Sequence, residues 1–222
     1  MKKIFLVILF VLLVSGCASS EINVGSLGEE ITELTFADSN LEFAVRNAID
    51  KPEGILYSTD VANLRVLYAG NMNITDITGI EQCKNLKVLS LGWNNITDIS
   101  PLEGLPGATI NAVETDGSIH PFTTLSLGLT GNHISDISCL TKFKDLDRFY
   151  LHLGWNPLED ISALAELTNL ISLHLEFCGL TDVSCLSGLT NLIHLDLTCN
   201  QITDISPLDC LSCDINLQGN PL

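Results

Sequence analysis

Three residues invite a chemical reading first. His152, His174 and Asp196 recur at intervals of 22. Two imidazoles and a carboxylate are a donor set that zinc and other first-row metals accept. Glu176 follows His174 by two places, and His194 precedes Asp196 by two. Both therefore fall nearby if 22-residue segments lie side by side. Without an ion, the same histidines form a polar patch that gains charge as pH falls toward about 6. Tyr68, Trp93, Tyr150, Trp155 and Phe177 recur close to these places. Aromatics kept out of a core are typical anchors of a contact surface. A lone C-x-x-C, Cys210 to Cys213, reads as a redox pair, half a zinc site, or small thiols packed as hydrophobes. Packing is the favoured reading.

The elements that must align these residues are repeats. Asn85 to Leu105 reads N-L-K-V-L-S-L-G-W-N-N-I-T-D-I-S-P-L-E-G-L. Its apolar spacing is neither helical nor strictly alternating. It describes a coil: short strand, turn, loose helical return. The pattern L-x-x-L-x-L-x-x-N-x-I is the leucine-rich repeat signature. The fold class is thus a leucine-rich repeat solenoid. A curved parallel β-sheet forms the concave face, with short helical or 3-10 returns on the convex face. Strand neighbours lie about 4.8 Å apart. In each strand the fourth and sixth places point inward. The third place holds Tyr150 and His194, and the fifth holds Tyr68, His152, His174 and Asp196. The seventh holds Glu176, and the eighth holds Trp93, Trp155 and Phe177. All of these face solvent or the rim. The metal candidates are the fifth-place trio His152, His174 and Asp196.

Aspartates 76, 98, 136, 160, 182 and 204 mark the register, at intervals of 22, 38, 24, 22 and 22. Each is expected to accept backbone N–H bonds within its own turn rather than form a calcium ladder. The Ser or Thr two places on is expected to N-cap the return, with Pro101 and Pro207 at the first helical position. The 24-residue interval places two extra residues near Phe149 to Leu153, as a bulge. The 38-residue interval holds an irregular insertion around 106–124. There Ala112, Val113 and Ile119 read as a degenerate coil, and Glu114 to Pro121 as a loop. Cys210 to Leu222 begins a further coil and stops, so that coil is either tolerated open or covered.

Residues 35–62 do not repeat and are expected to cap residues 63–222, which carry the repeats. Ser39 with Glu42 reads as a capping box. Leu41, Ala44, Val45, Ala48 and Ile49 form one apolar stripe, closed by Pro52 and Gly54. Ser58 or Thr59 opens another helical turn. At the start of the chain, Lys2 and Lys3 precede an apolar run, Ile4 to Val14, too short to span a bilayer. Val14-Ser15-Gly16-Cys17 resembles the lipobox of bacterial lipoproteins. That resemblance implies a signal peptide over 1–16, a diacylglycerol on Cys17 and a lipidated tether over 17–34. Phe36 to Ile55, F-A-D-S-N-L-E-F-A-V-R-N-A-I-D-K-P-E-G-I, together with the repeats, resembles bacterial internalin-like proteins. The resemblance implies a non-enzymatic, cell-surface module that binds a protein or peptide.

Charge narrows the partners. The formal charge is −17, and loss of the first sixteen residues leaves 8 basic against 27 acidic residues. Phosphate contacts need Lys and Arg, so nucleic acid is excluded as a partner. Beyond Cys17 there are seven cysteines, an odd number, so at least one thiol stays unpaired. Cys83 replaces a core Leu, and Cys178 takes the Asn position of the repeat. The expected protein is an envelope lipoprotein, on the outer membrane or the outer face of the cytoplasmic membrane, with no cofactor. A metal-binding or purely structural envelope protein is the alternative.

Overall fold

A computed structural model describes residues 31–113 and 119–222. The apolar places of each repeat turn into one interior. In the Asn85–Leu105 segment, Leu86, Leu89, Leu91, Ile96, Ile99, Leu102 and Leu105 are at most 2 % exposed. Each fully buried leucine contributes roughly 1.5–3 kcal/mol. A coil alone could not bury them, so neighbours stack. The stacked strands are β3 (Val66–Tyr68), β4 (Val88–Ser90), β6 (Ile119–Gly128), β7 (Arg148–His152), β8 (Leu170–His174), β9 (His194–Asp196) and β10 (Asp214–Asn216). They pair in parallel in that order. Short 3-10 returns connect them, such as Ser100–Gly104 and Ser162–Glu166.

A buried amide closes the coils. Where the chain leaves the strand, inward-facing backbone groups have no ladder partner. Asn156 Nδ2 donates to the carbonyls of Leu129, Leu153 and Gly154, at 3.0, 2.8 and 3.3 Å. Its Oδ1 accepts the Ile134 N–H at 3.1 Å. Asn94, Asn132, Asn200 and Asn220 repeat the arrangement. Cys178 occupies the same place in its coil, its thiol 3.5 Å from the carbonyls of Leu153 and Glu176.

The marker aspartates act locally, as expected. Each accepts the backbone N–H of the Ser or Thr two places on, from Thr78 to Ser206. The backbone N–H and hydroxyl of Ser138 and Ser162 hold Asp136 and Asp160 below the usual carboxylate range, and the hydroxyl and then the N–H of Ser206 do the same for Asp204. The capping expectation needs correction. From the second return onward the N-cap position is the preceding Ile or Val, and the Ser is the first helical residue. The aspartate does the capping. The cysteines divide. Cys83 and Cys178 are buried, Cys139, Cys185, Cys199 and Cys213 are half-buried, and Cys210 is exposed. All seven are free.

The two irregular intervals resolve differently from the sequence reading. The 38-residue interval is no degenerate coil. β5 (Ala108–Val113) pairs antiparallel with the first half of β6, and the second half of β6 joins the parallel sheet. The expected Glu114–Pro121 loop falls partly outside the described residues. In the 24-residue interval, Asp136 precedes Leu151 by 15 positions, whereas Asp160 precedes Leu173 by 13. The extra residues lie before the strand, where the return lengthens to Ser138–Phe143. A register shift does occur between Phe149 and Tyr150, with Ile171 as the unpaired residue of β8.

At the N-terminal end, helix α1 (Ser39–Ala48) lays Leu41, Ala44 and Val45 on the first coil, while Ala48 stays exposed. Its cap is Asp38, not Ser39: Asp38 Oδ1 accepts from Asn40 N and Leu41 N. Asp38 Oδ2 reaches Thr75 of the first coil, accepting from its N–H and hydroxyl. Glu42 pairs with Arg46 instead of closing a capping box. After the helix, β2 (Leu56–Tyr57) pairs antiparallel with β1 (Glu33–Leu34), and turns replace the expected helical turn at Ser58.

Replacing Asn156 with alanine orphans the buried Ile134 N–H and leaves the Leu153 carbonyl with only the weak thiol donor of Cys178, while Leu129 keeps Asn132 and Gly154 keeps the Gly131 N–H. Each unsatisfied group costs about 1–3 kcal/mol, so Asn156→Ala is expected to lose about 2 kcal/mol or more in urea melts. The exposed Asn95→Ala is expected to stay within about 0.5 kcal/mol of wild type.

Candidate functional site

Parallel register sets the site. His152 lies opposite His174, and His174 opposite Asp196. The two imidazoles stack, with centroids 4.1 Å apart and planes 14° from parallel. Burial, and then the neighbouring His174, pushes His152 below the ordinary histidine range. It therefore takes up a proton only at lower pH than a free imidazole.

Glu176 turns inward across the sheet. A Cβ on Gly154 would sit 2.2 Å from its carboxylate, so the side chain lies over that glycine. Burial lifts the Glu176 carboxyl above its ordinary range, and Asp196 adds to this. Its Oε2 is buried with no hydrogen-bond partner among the described residues. Asp196 is held by Thr198, whose N–H donates to Oδ1 at 2.8 Å and whose hydroxyl donates to the same oxygen. The group whose donor atoms lie within 4.8 Å of one another is His174, Glu176 and Asp196. This differs from the fifth-place trio: His152 stacks on the group rather than joining it. His194 stands apart from this group, its Nδ1 3.9 Å from Asp214 Oδ2, beside a groove also lined by His174 and Asn216.

The eighth place is a left-handed backbone position in coil after coil. Asn71, Gly131 and Cys199 occupy it with φ of 56°, 68° and 55°. Asn and Gly tolerate this region; bulky side chains do not. Trp93, Trp155 and Phe177 nonetheless adopt φ of 58°, 58° and 55°. Their rings form a ladder. Trp155 and Phe177 stack at 3.9 Å, and Trp93 and Trp155 lie 6.1 Å apart at 45°. Trp93 reaches its neighbour by passing over Gly131, where a Cβ would come within 2.6 Å of the indole. The ladder remains in water, 59 %, 45 % and 42 % exposed.

The remaining candidates scatter. Tyr150 is half-buried beside the histidine stack. Tyr68, 74 % exposed, is separated from His152 by Ser90 and Gly128, three strand spacings or about 14 Å away. Cys17 lies outside the described residues. Sequence reasoning missed the roles of Gly131, Gly154 and Thr198. For the two glycines the signal lay in the same columns, a glycine beside a bulky residue one coil away; for Thr198 it lay in the spacing of two from Asp196.

Residues 62–104 and 168–210 match the family model for leucine rich repeats (2 copies). Residues 1–18 match the prokaryotic membrane lipoprotein lipid attachment site. No curated protein matches the chain. Among solved structures, an internalin, InlF from Listeria monocytogenes, is 31 % identical with a TM-score of 0.67, over 80 % of this chain. The chain spans 48 % of that structure's length. A leucine-rich repeat protein of Leptospira interrogans shares the fold at 23 % identity and a TM-score of 0.54, covering 73 % of this chain and 40 % of its own. So does the ectodomain of the receptor kinase GASSHO1/SCHENGEN3 from Arabidopsis thaliana, at 24 % identity and 0.54, covering 72 % and 19 %.

Backbone strain and ring contact oppose each other in the ladder. A bulky residue in the left-handed region costs of order 1–3 kcal/mol, while an aromatic pair contributes about 0.5–1.5 kcal/mol. Trp93→Gly is therefore expected to leave stability within about 1 kcal/mol of wild type in a thermal melt. Phe149→Ala, at a fully buried ring, is expected to lose about 3–5 kcal/mol.

Proposed function

We propose that this internalin-like leucine-rich repeat protein is held in the envelope by a lipid on Cys17 and binds a protein or peptide partner through its sheet face. The aromatic ladder carries the reading. Three coils place a bulky ring where the backbone favours Gly or Asn, and leave that ring in water. Strain at a surface that packing does not demand points to contact with something else. Trp155 and Phe177 stack face to face and so present edges to a partner, while Trp93 is tilted at 45° beside them. Such a surface suits apolar side chains of a protein better than flat sugar faces. Beside it, Glu176, Asp196 and Asp214 add negative charge in a chain of formal charge −17, which favours a basic partner.

The reading is non-enzymatic. A nucleophilic cysteine needs a lowered pKa. Here burial pushes Cys83 and Cys139 up to about 12, and Cys178 and Cys185 up to about 11.

Envelope and medium proteins passed over the immobilised protein are expected to yield a retained partner. Trp155→Ala is expected to weaken that partner by about 2 kcal/mol or more, as hot-spot residues do, with the fold intact by circular dichroism. Retention equal to wild type moves the binding surface elsewhere. The anchor is tested separately. Cys17→Ser is expected to shift the protein from the membrane fraction to the soluble fraction or to stall it as precursor. Unchanged fractionation and migration defeat the lipid anchor.

A further inference from the structure

The geometry points to a divalent first-row metal site formed by His174, Glu176 and Asp196, independent of the partner reading above. One donor atom from each lies within 4.8 Å of the others. Each donor is held in place by a neighbour. His174 is braced by the stacked ring of His152. Asp196 is fixed by the two Thr198 bonds, both on Oδ1, which leave Oδ2 unengaged by them. Glu176 is folded over Gly154, the one residue type that leaves space for it. Such supporting contacts are what orient metal ligands.

Glu176 supplies the independent observation. Its Oε2 is buried and has no donor among the described residues. A carboxylate can only accept, and an unanswered buried acceptor is costly. Here it sits beside a second carboxylate, which raises the cost. A cation bound between the two answers both charges at once. The imidazole narrows the choice of ion. Calcium takes six to eight oxygen ligands, whereas one nitrogen with carboxylate oxygens suits zinc and its first-row neighbours. Metal–donor bonds of about 2.0–2.2 Å place tetrahedral donors roughly 3.3 Å apart. The donors lie up to 4.8 Å apart, so an ion draws them about 1.5 Å closer, with the Thr198 bonds and the His152 ring still backing Asp196 and His174. The remaining coordination positions are left to water or to a donor from a bound molecule.

Zinc titrated calorimetrically into the full-length protein in detergent tests the site. The expected result is one saturable site of micromolar affinity or tighter. It should persist in the Cys210→Ser, Cys213→Ser double variant, which removes the competing thiols. His174→Ala, Glu176→Gln and Asp196→Asn should each weaken it at least tenfold, and His133→Ala should not. Glu176→Gln keeps the side chain's shape, so the reading does not depend on a variant that disturbs the sheet. Melting curves without metal check that the variants fold. With cobalt in place of zinc, the spectrum should lack thiolate-to-metal charge transfer. Absence of saturable heat, an affinity untouched by all three variants, or loss in the cysteine double variant alone overturns the site. No partner is present in the titration, so its failure leaves the partner reading untouched.

Discussion

The buried asparagine is the constraint on which everything else depends. A coil that turns out of a strand after three residues must leave carbonyls and N–H groups facing its own interior. Water cannot reach them, and the next strand ladder is not there to pair them. One amide side chain, with two donors and an acceptor, answers three of these groups across two coils. It does so only from one place in the repeat. That requirement fixes the period, and a fixed period stacks like places above like. The parallel register that aligns His152, His174 and Asp196 therefore begins at Asn132, Asn156 and Asn200, not at the site. Cys178 shows how far the requirement bends. A thiol is a weak donor and a weak acceptor, yet the coil tolerates it between two coils that keep the amide.

The same turn creates the aromatic ladder. To bring the asparagine inward, the backbone passes through the left-handed region one place earlier, at Trp93 before Asn94 and at Trp155 before Asn156. The side chain there is thrown outward along the rim. With Asn or Gly the rim is flat; with Trp or Phe it becomes a stack that crosses from coil to coil. Gly131 leaves the gap that Trp93 fills. The surface is thus made by alternating what one backbone position carries, without altering the core beneath it.

Much of this was legible in the sequence because a repeat restates itself. The leucine columns, the inward and outward places and the local role of the aspartates each appear several times, so a single noisy coil does not hide them. What was not legible occurs once. Glu33–Leu34 is too short a strand to show any alternation. Asp38 and Ser39 are both good caps, and only the reach of Asp38 to Thr75 decides between them. β5 carries the same sparse apolar content as a worn repeat, and chain direction is invisible in composition. The chemistry of the site failed in a similar way. Places on strands give Cα neighbours, but Glu176 folds sideways over Gly154, and His152 prefers ring contact to convergence. Those outcomes depend on side-chain shape across strands.

The irregular segments share a placement that bears on the site. A one-residue slip in a parallel pair turns every following side chain to the other face. The lengthened return before β7 and the unpaired Ile171 both come before Tyr150 and Ser172 fall into step. From there through Thr198 the three coils run at an even 22 residues. The extra residues are absorbed ahead of the histidine stack, within the stretch where two core phenylalanines pack, Phe143 against Phe149 at 5.4 Å. Two buried rings fill the wider coil there and leave the face beyond it regular. Had the slip fallen after His152, His174 would have met a core leucine in place of an imidazole, and neither the stack nor the carboxylates beside it could have formed.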